Sequence, residues 1–226
     1  MGRERTDYER LMDNAVLLTL WARTQQQSQK DHLGDRLKLM KLAFLTAYPL
    51  YWERVKALNL RFFRYKYGPY TSQVNASWDE LTERRLMTEE EVFAVTDSGM
   101  RLADSFYREV LSQEENKAIR QTLDRVVDKY GTLSTDDLLS CVYEMECYTL
   151  HSPGTKRKVN DIPYHRDLTD LLEEEEAEQS LWIPPGWLVT LELTFDPDAL
   201  RNLERGIEDT HAGRVYEGWE ALGADV

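Results

Sequence analysis

The chain has 226 residues, 42% of them hydrophobic and 31% charged, which is enough to bury a sizeable core in one domain or in two small ones. Its apolar runs, such as Ala15 to Leu18, fall far short of the ~20 residues a membrane helix needs. The net charge of −13 divides unevenly, +4 over residues 1–80 and −17 over the remainder, so wholesale coating of nucleic acid is excluded and a basic protein partner is favoured.

The start, Met1 to Asp7, mixes acids and bases rather than opening an apolar signal core, and a cytoplasmic location is expected. Tyr8, Leu11, Met12, Ala15, Val16, Leu18 and Ala22 recur at three- and four-residue steps and predict a first helix, ending in the polar run Gln25 to Gln29. After Gly34, the residues Leu37, Met40, Lys41, Phe44, Ala47, Tyr48 and Tyr51 predict a second, with Asp35 as its cap and Pro49 bending or ending it. Leu60 to Tyr65 reads as a short aromatic strand and Gly68-Pro69 as a turn. Thr71 or Ser72 caps a third helix with Val74, Trp78, Leu81 and Leu86 inward. Glu89 to Val95 reads as a strand, and Thr96 to Gly99 caps a helix bearing Met100, Leu102, Ala103 and Phe106. That order of helix, strand and helix is similar to the wing of a winged-helix domain.

Further on, a helix from Glu114 closes at Gly131, and Ser134 to Asp137 opens the next. Cys141 and Cys147 fall on that helix, six residues apart, on different faces, and are expected as core thiols that neither pair nor share a metal. His151 to His165 is expected as a surface loop, and Glu173 to Glu176 as a solvated helix face. Trp187 to Phe195 alternates like a half-buried strand, and Asp196-Pro197 starts a last helix. The fold class is therefore mainly α within α+β: a helical domain with a small wing-like β element, then a C-terminal strand and helix.

No Gly-rich phosphate loop, nucleophile elbow or helical His-Glu-x-x-His motif occurs, and the four histidines are scattered, so no enzyme, cofactor or metal is expected. The one catalytic alternative is a loop cluster of His151 and His165 with Asp161 and Asp167. In the stretch Phe62 to Ser72, alternation puts Phe63, Tyr65 and Tyr67 on one face, with the rings mostly inward. Arg64 and Lys66 then lie side by side on the other, an exposed edge suited to an acidic partner or phosphate. Lys156-Arg157-Lys158 holds too few charges to specify DNA. Asp198 to His211 predicts an amphipathic helix with Leu200, Leu203 and Ile207 on one stripe, and the tail beyond it offers Val215, Tyr216 and Trp219 as anchors for a partner's groove.

Gly34-Asp35-Arg36-Leu37-Lys38-Leu39-Met40-Lys41-Leu42-Ala43-Phe44-Leu45, followed by the strand and by Tyr67-Gly68-Pro69-Tyr70, resembles the Panacea domain, a phage-associated group found among antitoxins. Tyr130 to Leu139 is similar to that domain's second helical half, and the stretch Ala199 to Tyr216 to segments that end several antitoxins. Phe44 stands where the family often has Tyr, and Tyr70 where many members have Val. The resemblance divides the chain into a Panacea-like helical domain, 1–180, and a C-terminal strand-helix segment, 181–226. It implies an antitoxin that neutralises a toxin protein by direct contact and regulates its own operon, with adaptors to a protease as a variant. The competing expectation is a winged-helix regulator that binds DNA through the helix near Thr71 to Arg85, with Arg84 and Arg85 on phosphate.

Overall fold

Helix α1 (Asp7–Ser28) starts at Thr6, whose hydroxyl accepts from the Glu9 N–H while the Glu9 carboxylate accepts from the Thr6 N–H. It is buried continuously from Leu11 to Ala22, because other helices cover it on every side. The computed structural model describes residues 3–30, 32–89 and 93–212. Around α1 stand α2 (Arg36–Trp52), α3 (Ser72–Glu83), α4 (Asp97–Glu109), α5 (Lys117–Tyr130) and α7 (Pro185–Phe195). A further helix, α6 (Thr135–Glu144), packs on α2, and α8 (Pro197–His211) follows α7. The architecture is mainly α with a small β element, as expected from the sequence.

Among the described residues, four two-stranded pairs fill the gaps. Strand β1 (Val55–Lys56) runs parallel to β8 (Gln179–Ser180). Three antiparallel pairs join β2 (Phe63–Tyr65) to β3 (Gly68–Tyr70), β4 (Met87–Glu89) to β5 (Phe93–Val95), and β6 (Glu146–Thr149) to β7 (Ser152–Lys158). One contiguous core runs through the molecule: Trp21 lies 5.8 Å from Trp78, Phe44 packs edge-on to Phe62 at 5.3 Å, and Leu181, Ile183, Leu191 and Phe195 join the same cluster.

The caps fall where their chemistry put them. Asp35 accepts from the Lys38 N–H, Thr71 from Gln73, Thr96 from Gly99, Ser134 from Asp137 and Asp196 from Asp198. Gly99 matters for a second reason. A Cβ there would stand 2.2 Å from the Leu86 carbonyl oxygen, so the close seating of α4 on the β4 end admits no side chain.

Several expectations are corrected. Trp187 to Phe195 is helix α7, not a strand: Trp187, Leu191 and Phe195, at steps of four, satisfy a helical stripe as well as a two-residue alternation, and they seat α7 on the α1 side of the core. Pro49 does not end α2, which continues to Trp52. The turn of the aromatic hairpin is at Lys66-Tyr67, with Gly68 and Pro69 already in β3, and the strand is Phe63–Tyr65 rather than the whole of Leu60 to Tyr65. Residues 152–158 form β7 instead of loop, and Glu174–Glu176 is a single 3-10 turn rather than a helix face. Cys141 is exposed on α6, whereas Cys147 lies buried on β6, because the chain turns extended at Met145.

Candidate functional site

Charged side chains concentrate first at the start of α1. Asn59 donates to Glu9 Oε1 at 2.9 Å and to the Leu172 carbonyl at 3.1 Å, and accepts from the Leu172 N–H at 2.7 Å. Arg3 forks onto both Glu9 oxygens at 2.6 Å, and Lys56 adds a third cation contact at 3.0 Å. Burial opposes ionisation of Glu9, but the Arg3 bonds, with those of the Thr6 N–H, Lys56 and Asn59, outweigh it and bring its pKa down to about 2. Asp13, one turn on, is pushed up to about 6 by burial, against the pull of Arg5 Nη1 at 2.7 Å and of the Asn59 N–H at 2.8 Å. These groups are mutually satisfied and tie α1 to β1 and to the 172–174 segment. They form a structural staple.

A different arrangement occurs where α2 meets the β2–β3 hairpin. Lys41 interrupts the apolar face of α2 between Met40 and Phe44 and is only 1% exposed. Its Nζ donates to the Pro69 carbonyl oxygen at 2.6 Å, and its pKa falls to about 7, first through burial and then through the nearby Arg64 charge. Arg64, 4% exposed, points inward from β2; its Nε donates to the Val159 carbonyl at 2.8 Å, while buried Nη1 meets no hydrogen-bond partner among the described residues. Its guanidinium lies 5.0 Å from the Tyr164 ring and 5.8 Å from that of Tyr143. Gly68, at φ +87°, closes this corner: a Cβ would stand 3.5 Å from Tyr143 Cε1 and 3.7 Å from Lys41 Nζ. Above Lys41 opens a cavity of about 270 Å3, walled by Leu37, Met40, Tyr65, Tyr67 and Tyr70, with Arg36 and Asn75 on its rim. No carboxylate lines it among the described residues.

The outer face of the hairpin is aromatic. Phe63 contacts Tyr65 at 6.1 Å and Tyr70 at 5.6 Å, and the His165 ring stacks on it at 6.0 Å. Tyr65 and Tyr67 are about half exposed. The alternation along this strand is as expected from the sequence, but its direction is reversed. Phe62 and Arg64 face inward and the rings face out, because Phe62 fills the space beside Phe44 and a carbonyl and two rings receive the Arg64 charge. The exposed edge of paired cations is therefore not formed: Arg64 is buried, and only Lys66 remains outside, over the Tyr67 ring at 5.2 Å.

The other residues singled out from sequence are dispersed. Arg84 is half-buried at the end of α3, its Nη2 on the Phe195 carbonyl at 3.3 Å, and Arg85 is exposed beside it at φ +58°. The outward positions of α3 before them are Ser72, Ala76, Asp79 and Glu83, which present acid rather than base. His151 lines a cavity with Arg157 and Arg166, whereas His165 turns onto the hairpin rings, so the proposed His-Asp cluster does not share a cavity. No group of three or more potential metal ligands occurs among the described residues. Val215, Tyr216 and Trp219 lie outside the described residues.

Helix α8 differs from all the others. Asp196 ends α7 and caps α8, and along α8 the side chains described from Arg201 onward are exposed, save half-buried Asp209. Leu203 and Ile207, one turn apart, are 45% and 49% exposed. Of the amphipathic stripe expected from the sequence, Leu203 and Ile207 do not face the core.

Lys41 is the residue that sequence reading left unassigned. Its signal was legible: a cation in the inward stripe Leu37, Met40, Phe44 has to be buried, and a buried cation needs an explanation. Comparison with family profiles, curated proteins and solved structures returns no match to this chain.

Proposed function

We propose that this chain is an antitoxin-like protein that neutralises a toxin partner by direct protein contact, without chemistry of its own. The observation that carries the reading is α8: a helix that leaves Leu203 and Ile207 in solvent gains little from its own core and is completed by a partner's groove. Its place in the chain just before Val215, Tyr216 and Trp219 supports the C-terminal segment as the docking element. The excess of acid after residue 80 suits a basic partner, and the Panacea-like motifs, Gly34 to Leu45 and Tyr67 to Tyr70, point to the same class. The DNA-binding alternative draws less support, since α3 turns Asp79 and Glu83 outward.

The test is a tagged capture of the full chain from its native cells, followed by expression of each stoichiometric companion with and without it. A companion that arrests growth alone and is silenced by this chain is the expected result. The double variant Leu203→Asp/Ile207→Asp should keep the unfolding midpoint but weaken capture by about a hundredfold, since two apolar side chains of this size contribute about 3 kcal/mol when buried. Recovery of nucleic acid in place of such a companion, or full silencing by the double variant, would refute the docking element.

A further inference from the structure

We propose that the cleft over Lys41 is a binding site for a carboxylate carried on an apolar or aromatic body. The inference goes beyond partner neutralisation, and it needs only the cleft. Lys41, 1% exposed, lines this cavity, and no carboxylate lines it among the described residues; the charge of Arg64, also buried, lies near Lys41 but Arg64 itself does not line the cavity. Buried charges in proteins are paired, and an unpaired one costs several kcal/mol, so a buried ammonium that lines an open cavity without a carboxylate marks a site that receives an anion.

The comparison with Lys38, one turn earlier, sharpens the point. Lys38 Nζ donates to two carbonyls, Gly131 at 2.9 Å and Leu133 at 2.8 Å, and its role is to close the end of α5. Among the described residues Lys41 has a single carbonyl, Pro69, and buried Arg64 Nη1 has no acceptor. Gly68 lines the same cavity at φ +87°, a backbone conformation that glycine adopts without strain. A cavity of about 270 Å3 walled by Leu37, Met40, Tyr65, Tyr67 and Tyr70 accommodates one ring or a short aliphatic chain, with the acid group directed to the ammonium at its floor. The same chemistry is offered by a small organic acid and by the free C-terminus of a peptide.

Calorimetric titration with phenylacetate, phenylacetamide, Gly-Gly-Phe and Gly-Gly-Phe amide separates these cases on the full-length protein. Either acid should bind at least about tenfold more tightly than its amide, as a charge-assisted hydrogen bond requires. Lys41→Met should remove that preference while the protein stays folded by circular dichroism. Lys38→Met, which leaves the cleft intact, should retain it. Preference for phenylacetate identifies a small acid as the ligand class, and preference confined to Gly-Gly-Phe identifies a chain terminus. Equal binding of acid and amide, no binding of any probe, or an unchanged preference in Lys41→Met would overturn the assignment.

Discussion

Replacing Lys41 with methionine keeps the volume of the side chain and removes its charge. The groups that face this ammonium are Arg64 from β2, Tyr65, Tyr67 and Tyr70 from the hairpin, Tyr143 from α6 and Arg36 from its own helix, with no carboxylate lining the cleft among the described residues. Its pKa of about 7, against the usual 10.5, means that between those values the unfolded chain binds a proton that the folded chain does not. Stability contributed at this site therefore rises with pH across that window, and the cost of the buried charge is fully present below it. At pH 6 that cost is about 5 kcal/mol, and at pH 9 about 2 kcal/mol. The methionine forfeits the bond to the Pro69 carbonyl and leaves that oxygen unpaired, a loss of about 2 kcal/mol that does not vary with pH. The variant should thus be more stable than the parent by about 3 kcal/mol at pH 6 and equal to it near pH 9. Urea unfolding followed by tryptophan fluorescence at several pH values measures the difference, and other titrating groups cancel in it. A difference that stays constant between pH 6 and pH 9 would refute the buried-ammonium argument.

Two further substitutions test the frame that carries the cleft and the arm. Gly99→Ala places a methyl against the Leu86 carbonyl, where backbone rather than a flexible side chain must yield, and should cost at least about 2–3 kcal/mol. Gly154→Ala, with nothing within 4 Å, is the matched control, and equal midpoints in urea for the two variants would contradict the close seating of α4. Asn59→Ala leaves the Leu172 N–H without its acceptor and takes one of several donors from Glu9 and one of two from the Leu172 carbonyl, which keeps Arg3, and should destabilise by about 2–3 kcal/mol. Its signature is earlier proteolysis of the 172–180 segment, and a wild-type digestion pattern would remove the staple role.

Most helix positions and caps, those of α7 excepted, were legible in the sequence because they depend on neighbours three or four residues away. Thr71, Thr96 and Ser134 cap the helices that their side chains and the following apolar steps foretold. The amphipathic stripe of α8 was equally local. Sequence by itself also determined that Lys41 must sit on an apolar face and that Phe63 and Arg64 must point opposite ways. Which way was a tertiary matter. Phe62 beside Phe44 drew Arg64 inside, where Val159, nearly a hundred residues on, supplies the carbonyl that receives it. Trp187 to Phe195 satisfied strand and helix periods together, and only the seat offered by the core selected the helix. The same logic holds for α8: its pattern fixed an amphipathic stripe and left open what it faces, and α8 leaves Leu203 and Ile207 uncovered. Local periodicity settles what an element can bury, while the contacts between distant segments decide whether and where it does so.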